Sequence, residues 1–248
     1  MHRMASRVGQ RAVLDVVVTV LGCLGVGILL VQFGGASPFG SAAAVISGLT
    51  LVSVGVVSVA RRRPLFSTPA DRVTLTRAVL GGGCATIVVL ALLGAVPFRS
   101  WWLLLLAAPA VLLDAVDGWV ARRTGTASAP GSRLDMETDA ALLLVLSVPL
   151  TCVLGPWVLA VGLMRYAFVA LSWWRPALRG PLGFSRFRRI VAAVQGVVLV
   201  VALVPVLPVP VAGVLVAVAL ALLTVSFARD VVALERVARR PRPSIPPR

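Results

Sequence analysis

A chain of 248 residues that is 59% hydrophobic and only 13% charged has too little polar surface for a soluble domain, for which about 45–50% and about 25% are usual. Its net charge of +15 comes from 24 basic residues, all arginine, set against nine acidic ones. Such a balance ordinarily suggests nucleic acid, but with this hydropathy it points to membrane topology and to anionic lipid or phosphate, with no nucleic-acid partner expected.

In chain order, apolar runs at about 12–33, 41–60, 73–96, 101–121, 135–154, 157–175, 190–208 and 211–229 each approach the ~20 residues a bilayer requires. They predict an all-α polytopic membrane protein with about eight spans. The first run follows Arg3, Arg7 and Arg11 but is too long for the ~7–15-residue apolar core of a signal peptide, so it is expected to be retained. Arg61, Arg62 and Arg63 follow the second run, and Arg122, Arg123 and Arg133 lie between the fourth and fifth. Arg175, Arg179, Arg186, Arg188 and Arg189 lie between the sixth and seventh, and Arg229 opens the tail. Only Arg99 falls in a loop on the other side. The positive-inside rule then predicts an integral protein of the cell membrane with both termini cytoplasmic.

Isolated polar residues in these runs have local explanations. Asp15 is expected to pair with Arg11 one turn earlier. Gln195 reads as interhelical glue, and the glycines at 81–83 and 94 permit close helix contact. Cys23, Cys84 and Cys152 each stand alone in apolar sequence and read as small buried hydrophobes. His2 is the sole histidine and lies in the leader, which excludes histidine-based catalysis and zinc ligation. Trp101, Trp102, Trp157, Trp173 and Trp174 sit at predicted span ends, as interfacial residues do. The Pro- and Arg-rich tail is expected to be extended.

Five of the nine acidic residues lie between 114 and 139, in D-A-V-D-G-W-V-A-R and G-S-R-L-D-M-E-T-D, between two almost wholly apolar segments. Carboxylates at membrane-helix ends cost free energy and mark function. Asp114 and Asp117 are three apart near the end of one predicted helix, and Asp135 and Asp139 are four apart at the start of the next. Each pair therefore shares a face. A polar loop with Gly125, Pro130 and Gly131 lets the two helices run antiparallel and brings the pairs together. Four convergent carboxylates repel unless cations neutralise them. All-oxygen ligation without His or thiolate favours Mg²⁺ or Mn²⁺, and two such ions suit a displacement at phosphorus. Capping accounts for acids at a helix start, but not for Asp114 and Asp117 at a helix end. Gly118 and Ala121 are small enough to admit a ligand, Arg122 offers a planar fork for phosphate, and Asp139 is placed to act as general base.

Together, D114-x2-D117-G118-x2-A121-R122-x8-G131-x3-D135-x3-D139 matches the signature of the CDP-alcohol phosphatidyltransferase family, and a weaker resemblance extends over about residues 68–230. The resemblance implies a six-helix core that cleaves a CDP-linked substrate, releases CMP and joins the phosphoryl-linked group to an alcohol. It also implies Mg²⁺ or Mn²⁺ and a homodimer. By resemblance Asp114, Asp117, Asp135 and Asp139 hold metal, Asp139 also takes the proton, and Gly118, Arg122 and Ser128 contact the CDP moiety. D71-R-V-T74-L-T-R77 resembles the family's nucleotide-holding Asn-x-x-Thr-x-x-Arg segment, with Asp71 where Asn is usual and Thr74 and Arg77 matching. Arg186, Arg188 and Arg189 precede the seventh span, where family members carry basic residues near an acceptor phosphate. They serve equally as topology determinants. Arg165, inside the sixth span, either pairs with a carboxylate or binds phosphate; Glu137 points away from the Asp135/Asp139 face, to solvent or an arginine.

Three segments follow: residues 1–64 as an N-terminal helix pair without counterpart in the six-helix core, 65–232 as the catalytic core, and 233–248 as a basic tail. The expected activity is transfer of the phosphatidyl group of CDP-diacylglycerol to a small hydroxylated acceptor, with arginines leaning towards a phosphorylated one. A reversed arrangement, CDP-alcohol with diacylglycerol, would use the same chemistry. A Mg²⁺-dependent prenyltransferase would need a second Asp-rich motif, and a transporter would spread its carboxylates through the membrane depth.

Overall fold

The computed structural model describes residues 2–62, 65–123, 125, 128–175, 178, 180 and 185–238, with the side chains at 2–8, 115, 117–119, 121, 122, 129, 186, 237 and 238 outside the description. Among the described residues there are helices, turns and short irregular connections, and no strand. They form α1 (His2–Gly34), α2 (Pro38–Ala60), α3 (Pro69–Leu92), α4 (Trp101–Arg123), α5 (Ala129–Leu154), α6 (Leu159–Trp174), α7 (Arg186–Ala202) and α8 (Val209–Ala238). A 3₁₀ turn, Pro156–Val158, leads into α6. Each predicted run falls mostly in one helix or, for the sixth, in the turn and α6, but 73–96 runs four residues past the end of α3 and 190–208 six past the end of α7. Among the described residues, six segments are long and apolar enough to cross a membrane, in α1, α2, α3, α5, α8 and the turn with α6. In α4 the apolar stretch is the shorter Trp101–Asp114, and α7, at 17 residues, spans only about 25 Å.

The central helix is α3, which packs against α1, α2, α4 and α5. Its middle is Gly81-Gly82-Gly83-Cys84-Ala85, all buried, so neighbouring backbones approach it closely. A methyl group built on Gly48 of α2 would sit 2.7 Å from the Gly82 carbonyl oxygen, and one on Gly82 would sit 2.9 Å from that of Gly48. This is the small-residue contact expected between membrane helices, where association depends on close packing. Gly94 does something else: no heavy atom lies near its Cβ position, and its φ of +74° turns the chain after α3, a conformation glycine adopts without strain. On the far side, Gly162 of α6 lies against the backbone of Leu144 on α5, where an added Cβ would come to 2.5 Å.

Polar ties close the bundle. Gln195 Nε2 on α7 donates to the Ala219 carbonyl oxygen on α8 at 2.9 Å, as interhelical glue should. Arg99 reaches the carbonyl oxygens of Val204 and Leu207, just beyond the α7 C-terminus. Asp15 pairs with Arg72 of α3 at 3.0 Å and not with Arg11, because α1 packs along α3 and brings Arg72 to it. Cys23 and Cys84 are buried, but Cys152 is exposed on α5, so it faces the surroundings of the bundle and not its core. The five tryptophans expected at span ends begin α4, lie in the turn before α6 or end α6, and all are exposed.

Candidate active site

Where the α4–α5 connection was expected to run through Pro130 and Gly131, α5 already begins at Ala129. Ser128 caps it, accepting from the Gly131 N–H at 3.2 Å, and Pro130 occupies the first turn, where its fixed φ suits the helix and no N–H is needed. Asp135 and Asp139 are consequently more than a turn into α5, beyond the region where the helix dipole favours acids. Gly125, with φ of +64°, marks the short connection to α4, which ends at Arg123. The two helices thus deliver Asp114 from α4, and Asp135 and Asp139 from α5, to one place.

Arg77 occupies that place. Its side chain is fully buried, whereas those of Asp114, Asp135 and Asp139 are 37%, 38% and 34% exposed. Nη2 lies 3.0 Å from Asp114 Oδ1 and 3.1 Å from Asp139 Oδ1, Nη1 lies 2.6 Å from Asp135 Oδ1, and Nε donates to the Ala110 carbonyl oxygen at 3.2 Å. A planar guanidinium with five donors is suited to serving several oxygens at once. Its single positive charge neutralises only part of the carboxylate cluster, and the remaining negative charge faces outward.

What it faces is a cavity of about 650 Å³ lined by Asp114, Asp135, Asp139, Arg165, Arg188 and Arg189 among apolar side chains of α5–α8, including Leu143, Val161, Leu223 and Phe227. Acids from α4 and α5, arginines from α6 and α7 and an apolar lining in one cavity suit a substrate with both phosphate and acyl parts. Arg165 pairs with Glu137 at 2.6 Å, the carboxylate pairing expected of it, and it also borders the cavity. Arg188 pairs with Asp230 at 3.2 Å and lines the cavity with Arg189, both among the basic residues expected before the seventh span. Gln195 lines the same cavity while tied to α8.

Asp71 and Thr74 are placed differently. Asp71 accepts from both Arg62 Nη atoms, at 2.7 and 2.9 Å, and forms a reciprocal capping box with Thr68 at the start of α3. With 1% exposure it is committed to holding α3, α5 and the α2–α3 connection together: a Cβ on Gly131 would lie 3.4 Å from its Oδ1. Thr74 is buried and donates to the Ala70 carbonyl oxygen at 3.2 Å. Neither borders the cavity, and Ser128 serves as the α5 cap. Asp117, Gly118 and Arg122 belong to α4, and Arg186 to α7, with side chains outside the described residues. Sequence reasoning missed the buried role of Arg62, because an Arg-Arg-Arg run reads first as a topology signal. It also missed Arg77 as the cluster's counter-charge, for which one arginine at full burial depth in an apolar run was the available signal.

The carboxylates fit a hard divalent cation in donor type and in convergence. Among the described residues, however, no three acidic, His or Cys side chains form a ligand cage, since three of the carboxylates are arranged around Arg77. Metal at this site would share these oxygens with the guanidinium.

The family model described as CDP-alcohol phosphatidyltransferase matches residues 67–225, well over half of the chain, and begins just before α3. No curated protein and no solved structure matches the chain.

Proposed function

The chain belongs to the CDP-alcohol phosphatidyltransferase family, transferases of substituted phosphate groups in phospholipid synthesis, and we propose that it moves the phosphatidyl group of CDP-diacylglycerol to a small hydroxylated acceptor. Membership sets aside prenyl transfer and ion transport. The observation that carries the finer reading is that one cavity is lined both by Asp114, Asp135 and Asp139 of α4 and α5 and by Arg165, Arg188 and Arg189 of α6 and α7. Its apolar lining accepts the acyl-bearing part, and the arginines favour a phosphorylated acceptor.

Asp114, Asp135 and Asp139, with Asp117, would hold two Mg²⁺ or Mn²⁺ ions. When bound, the ions supply charge neutralisation and polarisation at the diphosphate. Asp139 accepts the proton of the acceptor hydroxyl as its oxygen bonds to the phosphatidyl phosphorus. The bond from that phosphorus to the CMP oxygen breaks, and CMP leaves with the electron pair. Arg77 fixes the orientation of Asp114, Asp135 and Asp139 from behind, so they meet the substrate preorganised. The arginine distribution supports a cytoplasmic active site with both termini on that side, and the protein acts as a homodimer.

The test is CMP release by the purified full chain given CDP-diacylglycerol and a panel of glycerol 3-phosphate, inositol phosphate, inositol and serine. Release is expected only with Mg²⁺ or Mn²⁺ and one acceptor class, and mass analysis identifies the lipid formed. Turnover with CDP-alcohol and diacylglycerol, but not with CDP-diacylglycerol, would reverse the substrate assignment.

A further inference from the structure

A second cavity lies away from the catalytic one, in the angle between α2 and the start of α5. It measures about 770 Å³ and is lined by Ser53, Val54, Val57, Ser58, Arg61, Arg62, Pro130 and Arg133. The α2 residues at 54, 57, 58 and 61 recur at helical spacing and form one stripe, with the apolar Val54 and Val57, the hydroxyl of Ser58 and the basic Arg61 at its end. Val54 and Val57 are each 42% exposed, and Arg61 and Arg133 are exposed at the end of the stripe. Among the described residues, no acidic side chain lines the cavity. Arg62 is held against its inner wall by the bidentate bond to Asp71, which cancels its charge and fixes the wall. Arg61 and Arg133 contribute two positive charges, and neither forms an ion pair among the described residues.

We propose that this groove binds one anionic phospholipid, its phosphate between Arg61 and Arg133 and an acyl chain along Val54 and Val57. The charge complementarity selects an anion. The apolar stripe on a helix fit to cross a membrane selects a lipid over a free phosphate, because a soluble anion would leave those valines unused. From Val54 to Arg61 the helix rises about 10 Å, matching a headgroup joined to the upper part of an acyl chain. The site joins the N-terminal pair to the α5 that carries Asp135 and Asp139, and it does not depend on the transfer reaction proposed above.

The test is native mass spectrometry of the full chain, delipidated in detergent and titrated with dioleoyl phosphatidylglycerol or dioleoyl phosphatidylcholine. One retained phosphatidylglycerol is expected, preferred over phosphatidylcholine by roughly thirtyfold for two arginines. The Arg61→Gln/Arg133→Gln variant should lose that preference, and Asp139→Asn, which alters only the catalytic cavity, should keep it. Val57→Trp, which fills the apolar limb and leaves both arginines in place, should lower retention and serves if the double variant does not fold. Equal retention in the wild type, the double variant and Val57→Trp would overturn the proposal, as would equally effective competition by glycerol phosphate, which would make the site one for free anions.

Discussion

Arg77 Nη1 stands 2.6 Å from Asp135 Oδ1, a buried cation against a carboxylate that opens into the Asp- and Arg-lined cavity. Because the same guanidinium also meets Asp114 and Asp139, the charge state of the whole cluster depends on it. Removing one partner of a buried pair typically costs about 3–5 kcal/mol. Arg77→Gln should therefore lower the unfolding temperature in EDTA, and Mg²⁺ should restore more of it in the variant than in the wild type, since cations replace the missing charge. Thermal unfolding in detergent with and without Mg²⁺ reads this directly. Equal Mg²⁺ responses would remove the counter-charge role.

Asp139→Asn keeps an oxygen that can accept from Arg77 but cannot take a proton at neutral pH. CMP release should fall by about 10²–10⁴-fold, the usual worth of a positioned base, while unfolding temperature changes little. Asp114→Asn should instead raise the Mg²⁺ concentration needed for half-maximal rate. If both variants changed only the metal requirement, Asp139 would be a ligand and not the base.

Much of this centre was legible in the sequence because carboxylates are rare in the chain and spaced three and four apart. Helical periodicity alone put Asp114 on one helix and Asp135 with Asp139 on the next, and the structure joins them. The register of α5 was not legible: Pro130 and Gly131 look like loop residues, yet Ser128 caps the helix ahead of them and Pro130 enters its first turn. Nor was the partner of Asp71, since nothing local shows that Arg62, nine positions earlier, folds back onto it across the α2–α3 connection. Asp15 illustrates the same limit, with a partner 57 residues away preferred to one a turn away.

Asp71, standing where the resembling family has Asn, is expected to act on stability and not on nucleotide affinity. Asp71→Asn leaves Arg62 buried without its counter-ion, and Arg62→Met leaves Asp71 likewise; each should cost about 3–5 kcal/mol. The double variant should recover a substantial part of the loss, which a thermal double-mutant cycle measures. KM for the CDP-linked substrate should stay within about twofold throughout. A large rise in KM for Asp71→Asn alone would return this residue to the nucleotide site.

Arg165 is shared between Glu137 and the cavity, and the two roles separate by mutation. Arg165→Ala should raise KM for a phosphorylated acceptor by about 10–100-fold, the worth of a hydrogen bond to a charged group. Glu137→Gln should leave that KM unchanged or lower it, because the guanidinium is then freer to meet phosphate. Steady-state kinetics on both variants decide the matter: parallel increases would show that the ion pair, and not the arginine, shapes the site.

The contact of Gly48 with Gly82 bears on how the molecule moves. Where two main chains touch with no side chain between them, there is no rotamer to absorb a displacement, so α2 and α3 form a stiff pair. Sliding within it would drive backbone atoms into one another. If the cavity takes the substrate proposed for it, the breathing that admits and releases that molecule therefore falls to α7 and α8, which meet the cavity with long, adjustable side chains such as Arg188, Arg189 and Phe227.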